Sequence, residues 1–180
     1  MERLLIDSPI GTLTCLVRHG VLVGVEFEGG RGATIGYVQR RFPGETIVDA
    51  GEAGGVRAAF ARYFGGEADA LDELAVDPGG TPFQARVWMT LREIGAGTTW
   101  SYAELAERIG SPAAVRAVGA ANGANPIPLV LPCHRVIGKN GKLVGYGGGL
   151  SRKEWLLQHE GVRGAARGGR PMPAPTWPLH

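Results

Sequence analysis

The sequence predicts an α/β unit followed by a mostly α-helical unit built on a helix-turn-helix, and three observations carry this. Residues 4–27 alternate apolar and polar with the two-residue period of strands, while residues 52–64 repeat with the period of a helix. The breaker cluster Asp77-Pro78-Gly79-Gly80-Thr81-Pro82 coincides with a change in the sign of the charge, which makes it the expected domain boundary. Beyond it, Gly110 and Ser111-Pro112 join two short helical stretches within two residues.

In the first unit, Leu13, Cys15 and Val17 fall on one side of a strand. After the turn Arg18-His19-Gly20, the residues Val21, Val23, Val25 and Phe27 share a side again, which is the pattern of a hairpin. From Glu52 to Phe64 the positions Val56, Ala59, Phe60, Tyr63 and Phe64 form one apolar stripe, stopped by Gly65-Gly66. A strand is expected near Leu71 to Val76, so the α/β unit spans residues 1–76 and residues 77–82 form the linker.

In the second unit, Phe83, Val87, Trp88, Leu91 and Ile94 predict a helix ended by Gly95 and Gly97. Ser101-Tyr102-Ala103-Glu104 has the S-x-x-E form in which serine and glutamate satisfy each other's helix-start amides, so a helix starts at Ser101. Ser111 as N-cap and Pro112 as first residue open a second helix to about Asn122, with Val115 and Val118 inward and Arg116 outward. A generic helical hairpin shares this pattern with a DNA-binding one. Asn125-Pro126-Ile127-Pro128 is a rigid turn, leading through an apolar strand, Leu129-Val130-Leu131, to Pro132-Cys133-His134-Arg135-Val136. The six glycines from Gly138 to Gly149 make a turning loop without the Gly-Lys-Ser/Thr ending of a P-loop. Ser151 to Glu154 repeats the S-x-x-E form before a helix with Trp155 and Leu156 that Gly161 closes. This unit spans residues 83–161; residues 162–180, without apolar periodicity, are expected to be a disordered tail.

Composition narrows the class. With 180 residues, 44% hydrophobic, the chain can bury a real core. Two cysteines, Cys15 and Cys133, exclude a disulfide-rich secreted scaffold and a Cys-only zinc site. No apolar run approaches the roughly 20 residues that cross a bilayer, and the start Met1-Glu2-Arg3-Leu4 lacks the regions of a signal peptide, so a cytoplasmic protein without a membrane partner is expected. The net charge of +2 divides unevenly: residues 1–80 carry seven arginines and no lysine against twelve acidic residues, and residues 81–180 carry twelve basic against five acidic. A basic half of this kind suits a phosphate backbone, or equally a solvated face balanced by an acidic neighbour.

Cys133 beside His134 is the first chemical candidate, because a thiol attacks only as thiolate and an imidazole can take its proton. Neighbours in an extended chain point to opposite sides, so a turn or a bridging water is required; the alternative is a small buried Cys next to an incidental His. Glu160, at the unfavourable C-terminal end of its helix, would gain from a cationic or hydrogen-bonding partner, and His134 can be that partner; a solvated Glu is the alternative. A zinc site of Cys15, His19, Cys133 and His134 is disfavoured, because adjacent residues rarely ligate one tetrahedral ion. Tyr102 can donate its phenol or pack in the core, and Arg116 can enter a groove or remain solvated.

Pro132-Cys133-His134-Arg135-Val136, preceded by Arg116-Ala117-Val118-Gly119 and Asn125-Pro126 and followed by Gly145-Tyr146, Gly148-Gly149 and Lys153-Glu154-Trp155-Leu156-Leu157, resembles the O6-alkylguanine-DNA alkyltransferases. The likeness runs without gaps from about Phe83 to Gly161. It implies a ribonuclease H-like first unit and a winged-helix-like second one. It also implies double-stranded DNA held through the minor groove by the second helix, with Ala114, Val115, Arg116, Ala117 and Tyr102 at the DNA, and a nucleotide flipped out with Arg116 in its place. By the same resemblance, Cys133 takes the alkyl group from O6-methylguanine, and from O4-methylthymine as a lesser substrate, once and without a cofactor or metal. His134 and Glu160 would generate the thiolate through water, and Tyr102 would donate to guanine N3. Asn125 would tie the helix-turn-helix to the active segment, Tyr146 and the Val136 backbone would line the pocket, and Lys153 would lie on its supporting helix. A monomer, able to cooperate on DNA, is expected.

Two positions depart from the family pattern. Gly147 stands where some members have Ser, and Val115 where Ala is frequent, which bears on adduct preference and on the fit to the groove. The competing classes are a binding-only sensor of alkylated DNA, which would lack the cysteine, and a helix-turn-helix transcriptional regulator, which would make no covalent product.

Overall fold

The computed structural model describes residues 1–30 and 32–162; the expected tail from residue 163 onward lies outside the described residues. Two compact units divide the chain: the first holds Met1–Gly80 together with Pro126–Val130, and the second holds Thr81–Asn125 and the chain from Leu131. The segment Pro126–Val130 thus belongs with the first unit, whereas a contiguous reading of the sequence places it with the second.

The first unit is a four-stranded mixed sheet of order β3-β2-β1-β4, with β1 at Glu2–Ile6, β2 at Leu13–Arg18, β3 at Val21–Phe27 and β4 at Val48–Asp49. β2 pairs antiparallel with both β1 and β3, and β4 pairs parallel to β1. The β2–β3 turn has His19 and Gly20 both at positive φ, the backbone that matches strand twist in a two-residue hairpin. The expected hairpin is present, but its strands are buried on both faces: Leu16 and Cys15, on opposite sides, are 1% and 0% exposed.

Helix α1, Ala33–Arg41, covers the Leu16 and Val23 side through Val38, Ile35 and Tyr37. It sits so close to β3 that a Cβ on Gly24 would lie 2.9 Å from a Val38 methyl. The sequence reading did not include this helix. Gly32 offers no side-chain cap. Instead the buried Glu26 carboxylate, distant in sequence, accepts from the Ile35 amide at 3.2 Å.

Helix α2 runs Val56–Phe64 and buries Val56, Ala59, Phe60 and Tyr63. It begins later than Glu52 because Glu52 stays outside, where its carboxylate accepts from the Ala53, Arg57 and Ala58 amides in place of an N-cap. The strand expected near Leu71–Val76 is absent: Ala70–Glu73 form a 3-10 turn, and only Val76 pairs, with Leu22.

The second unit opens on α3, Pro82–Thr90, whose Thr81 N-cap and Gln84 form a reciprocal capping box. β5, Trp100–Ser101, leads into α4, Tyr102–Arg108, where Ser101 and Glu104 close the second box. α5, Val115–Gly123, follows a 3-10 turn at Pro112–Ala114, and packs on α3 and α4. Ser111 makes no capping bond, contrary to expectation, because the 3-10 turn intervenes before the α-helix. Leu129–Leu131 is not a strand: Leu129 sits at φ 72, which breaks extended pairing. β6, Val136–Ile137, pairs parallel with β5. α6, Leu150–His159, starts one residue ahead of Ser151 with Gly149 at the N-cap position, so the expected second S-x-x-E cap does not form and Glu154 is buried.

Candidate active site

Cys133, His134 and Arg135 form one 3-10 turn between Pro132 and β6, and all three are buried. The turn supplies what an extended chain could not, since consecutive side chains no longer alternate across a strand. The β5–β6 pairing sets the exit of this turn, through Val136 opposite Trp100, next to the start of α4 and Tyr102.

His134 and Glu160, 26 residues apart, meet with Nε2 2.9 Å from Oε1, both side chains fully buried. Arg135 forks onto the same carboxylate, Nε donating to Oε2 at 2.8 Å and Nη2 to Oε1 at 3.0 Å. Its Nη1 donates to the Ile94 carbonyl at 2.5 Å. Burial works against a charged Glu160, but His134 and Arg135 outweigh it and hold the carboxyl well below its ordinary range. Burial pushes the His134 pKa down, against the pull of Glu160, and Arg135 adds to the lowering. The imidazole is therefore neutral at rest. With a carboxylate at Nε2, the ring proton lies there, and Nδ1, which has no hydrogen-bond partner among the described residues, keeps a free lone pair.

Burial raises the Cys133 thiol to about 11, although Asn125 by hydrogen bond and Lys153 by charge act to lower it. Lys153 on α6 is fully buried; its Nζ donates to the carbonyls of Val136 at 2.6 Å and Val144 at 2.9 Å, and burial lowers its pKa to about 8. Asn125 Nδ2 donates to the Leu131 carbonyl at 2.7 Å, and the Cys133 amide donates to that same carbonyl at 2.7 Å. Tyr102 is half-buried, which raises its pKa, while a hydrogen bond with Asn122 lowers it and the nearby Cys133 charge raises it further. Tyr146 turns its ring edge-on to His134, centroids 6.5 Å apart.

Eight of the residues singled out in the sequence, Cys133, His134, Glu160, Tyr102, Asn125, Lys153, Val136 and Tyr146, converge on this turn. The others do not. Arg116 and Ala117 are exposed on α5, Val115 at its start and Ala114 in the turn before it are half-buried, and Gly147 is exposed in the glycine loop. Cys15 belongs to the first unit, and among the described residues no group of three or more His, Cys, Asp and Glu could hold a metal ion. Arg135 and Asn122 were not singled out. The signal for Asn122 was a polar residue at i+4 from Val118 on an apolar helix face, and for Arg135 a third ionisable residue beside Cys133 and His134. The arrangement offers a buried nucleophile, a neutral base oriented by a carboxylate, and a phenol donor.

Residues 82–162 match the family model described as "6-O-methylguanine DNA methyltransferase, DNA binding domain". The methylated-DNA–protein-cysteine methyltransferase of Salmonella typhimurium is 53% identical over 124 residues, covering 69% of this chain and 72% of its own length. That of Mycobacterium tuberculosis is 45% identical over 163 residues, covering 89% and 93%. The crystal structure of Mycobacterium tuberculosis OGT in complex with DNA superposes with a TM-score of 0.76 at 42% identity, covering 89% of this chain and 92% of its own.

Proposed function

Because the chain belongs to the methylated-DNA–protein-cysteine methyltransferases, which repair DNA by alkyl transfer to a cysteine, we propose that Cys133 is the acceptor and O6-methylguanine in duplex DNA the principal donor. The observation that carries the assignment is the buried 3-10 turn in which Cys133 adjoins a His134 held by Glu160.

At rest the thiol is protonated and the imidazole neutral. The thiol proton passes through a water to His134 Nδ1, and Glu160 stabilises the imidazolium that forms. The thiolate then attacks the alkyl carbon in one displacement. The new S–C bond forms as the C–O6 bond breaks, and the released electron pair moves into the purine. Tyr102 donates a hydrogen bond to guanine N3 as charge develops there, and Lys153 holds the Val136 and Val144 carbonyls that shape the pocket beside Tyr146. The product is a thioether that nothing in the site can cleave, so each molecule acts once. O4-methylthymine is the lesser substrate.

Arg116 meets the minor groove and occupies the space of a flipped nucleotide, with Ala114, Val115 and Ala117 beside it on or before α5; its exposure supports this reading. The protein works as a monomer in the cytoplasm, able to cooperate on DNA. The mixed sheet with α1 and α2 supports a ribonuclease H-like first unit, and α4 and α5 a winged-helix-like second.

The test is the intact mass of the protein after mixing with an O6-methylguanine duplex. One added methyl on Cys133, absent in Cys133→Ala, is expected; an unchanged mass while the duplex binds would replace repair with damage sensing.

A further inference from the structure

Asn122 on α5 is 5% exposed, and its Nδ2 donates to the Cys133 carbonyl at 3.4 Å. A carbonyl can only accept, so this contact decides which end of the amide faces the turn. The nitrogen faces it, and Oδ1 is left without a hydrogen-bond partner among the described residues. Tyr102 meets the same amide. Its ring lies against Gly119, one turn before Asn122 on the same face of α5, where a Cβ would sit 3.8 Å from Cδ1 and Cε1. Its phenol is hydrogen-bonded to Asn122. With the nitrogen end presented, the phenol oxygen is the acceptor in that bond, and its own hydrogen must be given elsewhere.

We infer that Asn122 is a positioning residue: by donating to both Tyr102 and the Cys133 backbone, it turns the phenol O–H toward the base being dealkylated. The inference rests on the role proposed above for Tyr102 as donor to guanine N3. An acceptor at position 122 would capture the phenol hydrogen and abolish that direction.

Single-turnover transfer by the full chain from duplexes containing O6-methylguanine, or its 3-deaza analogue with CH in place of N3, tests this. The unaltered protein is expected to be about tenfold or more slower on the analogue, the scale of losing one hydrogen bond to a charged group. Asn122→Leu should lose most of its rate on O6-methylguanine yet stay within about twofold on the analogue. Asn122→Asp, an isostere that accepts instead of donating, should show the same selective loss and serves if the leucine variant does not fold. Asn122→Leu added to Tyr102→Phe should cost nothing further. Equal slowing on both substrates would overturn the inference alone, leaving Asn122 as packing for the Cys133 turn. An unaltered protein that did not distinguish the two substrates would overturn the Tyr102 role and the inference with it.

Discussion

Glu160 carries two partners on one carboxylate, and this governs how the protein responds to acid. Its folded pKa lies below the unfolded value, so its stabilisation is present above about pH 4.3 and is lost as pH falls through the depressed value. His134 adds to the same limb. Its pKa is also lowered, so below about 6.5 the unfolded chain takes up a proton that the folded one refuses. Urea midpoints should therefore fall steadily from about pH 6.5 downward. Glu160→Gln leaves Arg135 buried beside a neutral amide, a change that costs about 3–5 kcal/mol for a broken buried pair. The variant should lose the lower part of the acid limb, and alkyl transfer at neutral pH should slow because the imidazolium is no longer stabilised. Unchanged transfer kinetics would show that Glu160 is purely structural. Cys15, raised by burial to about 12, should remain unalkylated throughout.

Among the elements, the start of α4 was legible to the residue, whereas α3 was legible as an apolar stripe from Phe83 and its cap at Thr81 came only with the structure. Thr81 with Gln84 and Ser101 with Glu104 settle their own helix starts, using only groups three positions apart. α1 was not legible, because Glu26, back on β3, supplies its missing cap. Ser151 misled for the converse reason: with Lys153 and Glu154 buried, α6 takes its N-cap position at Gly149, two residues before the local cap signal. α5 presents Arg116 to solvent with no hydrogen bond or ion pair to the described residues, so removing it should leave the fold unaltered. Arg116→Ala is expected to reduce repair of duplex DNA at least about tenfold, the scale of removing one intercalating or groove contact of about 1–3 kcal/mol, while reaction with free O6-benzylguanine stays near normal. Equal losses on the two substrates would remove Arg116 from the DNA.

At the scale of the molecule, the chain leaves the second unit at Asn125, joins the first at Pro126–Val130, and returns at Leu131, two residues before Cys133. Within the first unit the Val25 amide donates to the Pro126 carbonyl at 2.8 Å, and every residue from Pro126 to Val130 is buried. A chain starting at Thr81 would carry this apolar segment without the sheet that satisfies it. Such a fragment is expected to melt at lower denaturant than the full chain and to transfer alkyl groups more slowly, with Leu129 free to leave its strained φ of 72. Equal midpoints and rates would show that the excursion contributes nothing.

What the sequence by itself determined is local. It contained the helical stripes, the hairpin turn, the helix start at Ser101, the division of charge, and the segment around Cys133 whose residue order marks the family. Tertiary structure decided what depends on groups distant in the chain. Only folding could bring Glu160 to His134 across 26 positions, choose Arg135 as the second partner, place Asn122 between Tyr102 and the Cys133 carbonyl, and draw Pro126–Val130 into the first unit. The physical reason is range. Periodicity and capping act within a few residues, whereas a buried polar group must find its partner wherever packing allows, and that choice has no signature in local spacing.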